Sequence, residues 1–330
     1  MIWLTWRQFR VQALVGLTAL VLLAVYLVML GSQIHGDYDD TLARCAGGGG
    51  CTSQLATVAD QYGGQVDLLS YLLLAVPGVI GVFWGAPLVA RELEAGTHRF
   101  VWNQSVTRGK WLAVKVGVVG LLSVAVVGVY SLVLTWASGP VNTILNNRFE
   151  PALFGSRNLA PLGYAAFAFA LGMTFGLLIR HTVPAMGATL VVFAVLQVVM
   201  PSVVRPHYQT PVKTTVPLTA PLISGLTKIG TYGEIGGLRV PGGPWVVETS
   251  EILDSSGKAV GHSDWYQDCT NNKSLTEMPE CLAKGNIHVD ISEQPADRYW
   301  TFQLLETLIF TVLAAGLFAL SFWRIRSRLN

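Results

Sequence analysis

Three groups of residues in this chain could do chemistry. Glu306 is a carboxylate inside an apolar run, with Gln303 one turn earlier on the same helical face and Trp300 three residues before that. A charge in such a run is expensive to keep and marks a functional position by default. The trio could line a polar patch that touches a substrate or gates its exit. Pairing of Glu306 with Arg298 or with another helix is the structural alternative. The second group is four cysteines, Cys45, Cys51, Cys269 and Cys281, enough for two disulfides. The third is a charged stretch from Arg91 through Glu92, Glu94, Arg99, Arg108 and Lys110 to Lys115, with Phe100 and Trp102 interleaved. Its chemistry would be docking rather than catalysis.

Enzymatic signatures do not accompany them. A phosphate-cradling G-x-x-x-x-G-K-[ST] loop is missing: Gly257-Lys258 is followed by Ala259 and has Ile252 at the first glycine position. H-E-x-x-H and G-x-S-x-G do not occur. The six histidines are scattered, and His207, His262 and His288 share only a segment, which does not make a metal site. No cofactor is expected on this chain.

The elements that must position these groups follow from composition. Of 330 residues, 52% are hydrophobic and 13% charged, with a net charge of +2. Mean hydropathy is +0.48. Such a chain is not disordered, which would need low hydrophobicity and high net charge. It lacks the basic excess of a nucleic-acid binder. Its apolar residues fall in six runs: 11–31, 68–90, 116–137, 159–179, 183–200 and 301–323. Each can cross a hydrocarbon core of roughly 30 Å as a helix. The fifth is the shortest and holds Pro184. A signal peptide is the rival reading of the first run, but the run is too long and no cleavage site follows.

Lys and Arg set the direction. With the N-terminus inside, the inner segments hold Arg7 and Arg10, the 91–115 cluster, Arg180, and Arg324, Arg326 and Arg328. The two shorter outer loops hold only Arg44, Arg148 and Arg157. The expectation is an all-α polytopic membrane protein with six transmembrane helices and both termini cytoplasmic. Residues 1–200 would carry five spans and the loop 91–115, and residues 301–330 the sixth span and tail.

All four cysteines then fall outside, where disulfides persist. Nearest-neighbour pairing, Cys45–Cys51 and Cys269–Cys281, is preferred, and two other connectivities remain open. Segment 201–300 reads as a small extracytoplasmic domain, mixed or β-rich, stapled by one disulfide. Trp245–Thr249 and Glu251–Leu253 before the turn-rich Asp254–Gly257, then Lys258–Val260, resemble a hairpin.

Spans two and four both carry a G-x-x-x-G step, Gly81 and Gly85 in one and Gly172 and Gly176 in the other. Such steps let helices approach closely in lipid. Intrachain packing is the common use, and a dimer seam or moving gate the sharper one. Pro77 and Pro87 could bend span two.

The stretch 91–115 resembles the ABC-2 type transporter permeases. In that family R-E-x-x-x-G-T follows span two, a short helix comes next, and S/T-R-x-x-x-x-x-K leads into span three. The matching residues are Arg91-Glu92, Gly96-Thr97, Thr107-Arg108 and Lys115. Residues 294–306, the outer insertion between spans five and six, and the opening Trp3-Leu4-Thr5-Trp6-Arg7-Gln8 are similar to a group of actinobacterial permeases.

The resemblance implies a permease subunit of an exporter in the bacterial plasma membrane. Two permease chains, identical or related, would sit on two ABC ATPase subunits that bind ATP and Mg. The loop residues Arg91, Glu92, Glu94, Gly96, Thr97, Arg99, Phe100, Trp102, Arg108 and Lys110 would couple the ATPase to the spans. Trp300, Gln303, Glu306, Gly81 and Gly85 would line or gate the path of an amphipathic or hydrophobic substrate, such as a drug, antibiotic, peptide or lipid. A non-transporting mechanical coupler, whose outer domain is moved by a cytoplasmic ATPase, would carry the same loop.

Overall fold

The computed structural model describes residues 2–45, 51–96, 107–274 and 276–327. Six helices in it are long and apolar enough to cross a membrane: Leu14–Cys45, Ser53–Glu94, Gly109–Ala137, Ala160–Ile179, Thr182–His207 and Ala296–Ser327. They are called spans one to six. The chain divides into two compact units. One comprises 1–145, 150–202 and 301–330, the other 146–149 and 203–300.

In the first unit, α1 (Ile2–Cys45) and α2 (Thr52–Ile80) are longer than a bilayer requires. Their excess turns form a helical hairpin where the sequence suggested a loop. Ile34, Val58, Tyr62 and Val66 pack there at helical spacing. The Tyr62 hydroxyl donates to Asp37 at 2.6 Å, and Cys45 is bonded to Cys51 at the tip.

Span two continues through a π turn, Gly81–Gly85, into α3 (Ala86–Glu94). The π turn has a local cause. Pro87 has no N–H to offer the Phe83 carbonyl, and the Ala86 N–H bonds instead to the Gly81 carbonyl five residues back. Span three is α4 (Arg108–Lys115), a second π turn (Val116–Gly120) and α5 (Leu121–Ala137). Two short helices follow, α6 (Gly139–Leu145) and α7 (Pro151–Ser156), the latter buried from Ala152 to Ser156. Span four is α8 (Ala160–Ile179) and span five begins with α9 (Thr182–Val199).

Span four is the most enclosed, with 72% of its apolar window buried against 17% for span one. Glycine accounts for this. A Cβ on Gly81 would lie 2.5 Å from the Ala168 carbonyl oxygen, and one on Gly85 2.7 Å from that of Phe169. On Gly172 it would fall on the Gly81 carbonyl oxygen, and on Gly176 it would lie 2.5 Å from that of Ala86. The two G-x-x-x-G steps therefore face each other within one chain, backbone against backbone.

The second unit is a mixed α/β domain. Its three-stranded antiparallel sheet has the order β1 (Val212–Pro217), β5 (His288–Gln294), β4 (Trp245–Thr249). A two-stranded ribbon, β2 (Lys228–Ile229) with β3 (Ile235–Gly236), lies apart. Helices α10 (Ala220–Ser224), α11 (Asp264–Asn271) and α12 (Met278–Ala283) complete it, and Cys269–Cys281 joins the last two. Val216, Ile223, Ile252, Tyr266, Leu282, Val289 and Ile291 form its core.

The suggested hairpin is only half formed. The turn at 254–257 closes with Leu253 opposite Ala259, and Asp254 accepts from the Ser256 and Lys258 N–H groups at 2.8 and 3.0 Å. Trp245–Thr249 pairs elsewhere, with β5 some forty residues on, because Val289 and Ile291 supply the buried face that a sheet needs. The last helix, α13 (Tyr299–Ser327), carries span six.

Gly172→Val should lower stability by about 2 kcal/mol or more, since its side chain meets a carbonyl that cannot swing aside. Gly117→Ala, with nothing within 4 Å of its Cβ position, should be neutral or stabilising by about 0.5 kcal/mol. Thermal unfolding of the purified chain in detergent compares the two.

Candidate functional site

The segment 91–115 is built on two helix ends, the close of α3 and the start of α4. At the first end, the Ala95 N–H bonds to the Arg91 carbonyl at 3.0 Å and the Gly96 N–H to that of Leu93 at 3.3 Å. Gly96 then takes φ +69°, the left-handed turn that stops α3 and that a side chain would strain. At the second end Thr107 is extended (φ −66°, ψ 144°), and its hydroxyl accepts the Lys110 N–H at 3.4 Å, which starts α4. Of the expected coupling residues, Thr97, Arg99, Phe100 and Trp102 lie outside the described residues. Arg91 and Lys110 are exposed, and Arg108 opens α4.

An ion pair clamps the two ends together. The Lys115 ammonium donates to Glu92 at 2.6 Å and to the Leu88 carbonyl at 3.3 Å, and it stands 4.6 Å from the centre of the Trp111 ring. Lys115 is 4% exposed and Glu92 12%. Two charges removed from water need each other and further polar or π partners to offset their desolvation. Val89, Trp111, Leu112, Met173, Leu177 and Ile325 form the apolar backing.

Glu94 makes a second tie. Its carboxylate accepts the Thr182 N–H at 3.0 Å and hydroxyl at 2.8 Å, so it caps the N-terminus of α9 from another helix. The exposed His181 ring lies 3.6 Å away. The end of span two is thus fixed to spans three and five at once.

Glu306 and Gln303 are both fully buried. Glu306 accepts a hydrogen bond from the Tyr164 hydroxyl of α8. Gln303 accepts the N–H groups of Leu159 and Ala160 at 3.2 and 2.9 Å and donates to the Phe154 carbonyl at 2.9 Å. It caps α8 from span six. Trp300 is 55% exposed, and Arg298 bonds to Thr210 and Gln294. Gly81 and Gly85 lie in the seam with α8. Among the described residues no group of His, Cys, Asp and Glu is arranged to hold a metal.

A family model described as ABC-2 membrane transporter related matches residues 17–205, which take in nearly all of spans one to five and the clamped segment. The chain belongs to this family. No curated protein and no solved structure matches significantly. As an ABC-2 family member it is a multi-pass membrane protein with a transporter permease role, and the family implies work with an ABC ATPase partner.

Sequence reasoning marked Glu92 and Lys115 as separate ends of the ABC-2 motif but did not join them. Opposite charges at both ends of a short excursion between two helices were the available signal. The capping roles of Glu94 and Gln303 and the Tyr164 partner of Glu306 left no local signal, because each depends on a distant helix.

Replacing Lys115 or Glu92 singly by Met should cost about 3 kcal/mol, because the survivor stays buried without its partner. The double Met variant should recover most of that loss. SDS-induced unfolding of the purified chain measures all three.

Proposed function

We propose that this chain is the permease subunit of an ATP-driven exporter, with the cytoplasmic loop 91–115 as the contact for a separate ABC ATPase. The observation that carries this reading is the Glu92–Lys115 clamp. It closes a family-specific loop at its base, so that force on the loop reaches spans two and three together. Arg91 and Lys110 stay exposed beside it and suit an acidic rim on a partner.

The complex would hold two ATPase subunits, which carry ATP and Mg, and a second permease chain, identical or related. Both termini and the loop would face the cytoplasm, and the 203–300 domain would lie outside the bacterial plasma membrane. The cargo would be an amphipathic or hydrophobic small molecule, antibiotic, peptide or lipid, moved outward by alternating access. Gly81, Gly85, Gln303 and Glu306 would act on its path by holding spans two, four and six as one block, with Trp300 at the gate.

One observation favours a second reading, a coupler that moves its outer domain without transport. The 203–300 domain has its own core and disulfide, more structure than a simple connection needs.

Purification from native membranes should bring down a nucleotide-binding subunit. Phe100→Ala/Trp102→Ala should keep membrane insertion but reduce that recovery at least tenfold. Recovery of no such subunit, or equal recovery with the variant, overturns the docking role. ATP-dependent flux into inverted vesicles separates exporter from coupler: turnover with no flux of amphipathic cargo favours the latter.

A further inference from the structure

A cavity of about 480 Å³ opens between spans one, two and three. Its walls include Gly16, Ala19 and Leu23 of span one, Val79 and Trp84 of span two, and Tyr130 of span three. It exists because span one presents small residues there. Gly16 is the point where α1 crosses Trp84, since a Cβ on it would lie 3.3 Å from one ring carbon and nearer still to another. Beyond that crossing, Ala19 leaves space that a larger side chain would fill. The lining carries no charged side chain.

Its dimensions select the occupant. From Gly16 to Leu23 is two helical turns, or about 10 Å at 1.5 Å per residue. A volume of 480 Å³ over that length leaves a cross-section of roughly 50 Å². A helix with side chains is about 10–12 Å across and needs nearly twice that, whereas an alkyl chain fits. The rim includes Val15, Val79 and Phe83, which are 67%, 52% and 54% exposed, so the approach is sideways along apolar surface.

Tyr130 supplies the polar feature. It is 4% exposed, and its hydroxyl has no hydrogen-bond partner among the described residues. Within a bilayer no water is at hand to satisfy it.

We propose that this cavity is a binding site for one uncharged hydrocarbon chain, entering from the bilayer, whose single polar group meets the Tyr130 hydroxyl. The chain is either a lipid acyl tail with its ester or the alkyl part of an amphipathic cargo. The site goes beyond the docking reading and requires no ATPase, so its failure and the failure of that reading are separate results.

The test uses the purified full chain in lipid nanodiscs with two photoreactive probes. One is a phospholipid with a diazirine on its acyl chain, the other a single-chain uncharged ester with the same diazirine. Mass spectrometry should place label on 15–23, 76–84 and 126–130 at least fivefold above the span-five face at Val191 and Val195, which is 61% and 55% exposed. Ala19→Trp, and independently Val79→Trp from the opposite wall, should abolish the excess. Tyr130→Phe should reduce it severalfold. Preference for the phospholipid assigns a bilayer lipid, and preference for the single chain assigns a cargo-like amphipath; either supports the site. Labelling no higher than at span five, or unchanged in folded Trp variants or in Tyr130→Phe, overturns it.

Discussion

Close backbone approach between span two and α8 is the contact on which the membrane unit depends. In lipid there is no hydrophobic gain from joining two apolar helices, so association must come from dispersion and polar contacts at short range. Gly81 and Gly85 admit the carbonyls of Ala168 and Phe169, while Gly172 and Gly176 admit those of Gly81 and Ala86. The seam continues past the π turn, so α3 inherits the position of α8. Glu92 and Glu94 sit at the end of α3. Their placement over Lys115 and Thr182 is therefore set by glycines two to three turns deeper in the chain.

The opposite side of α8 is held differently. Span six meets it through hydrogen bonds and rings: Gln303 at the helix start, Glu306 with Tyr164, Phe310 edge-on to Tyr164 and Phe167, and Thr174 with Ser321. A polar group at that depth stays only where protein satisfies it. Spans two and six are thus fixed to a common helix, one by absent side chains and one by polar side chains. Span one keeps most of its apolar window exposed.

The parts of this arrangement that were legible in the sequence are those with a local period. Six apolar runs and the two glycine steps can be read from spacing, the two ends of the loop motif from the family resemblance, and all six runs are helical spans. The hairpin of α1 and α2 was not legible as helix, because polar residues such as Asp37, Asp40 and Gln61 break its apolar run while leaving its packed face intact. The strand 245–249 was visible, but its partner was not. A hairpin signal favours the nearest strand, whereas the buried face was supplied by β5. For the loop, charges were visible and their pairing was not, since Glu92 and Lys115 meet only after two helices return to one level.

An ionic clamp has a property that apolar packing lacks in this setting. Two helices lined with Val, Leu and Ala can slide or rotate past one another at small cost, because one alkyl contact replaces another. The Lys115 ammonium, bound to Glu92 and the Leu88 carbonyl and facing the Trp111 ring, has no equivalent position one residue away. It fixes register, the best-attested use of a buried ion pair. The two sides of the clamp differ in what lies behind them. Glu92 stands on a helix packed against α8 and tied to α9 through Glu94. Lys115 leads directly into the π turn Val116–Gly120, where Gly117 has open space around it. The same turn is nonetheless packed beyond Gly117: Val119 is buried, and a Cβ on Gly120 would lie 3.1 Å from the Phe169 ring. The clamp thus fixes the register of two helices that both rest on α8, one through glycines and the other through Trp111 and Leu112.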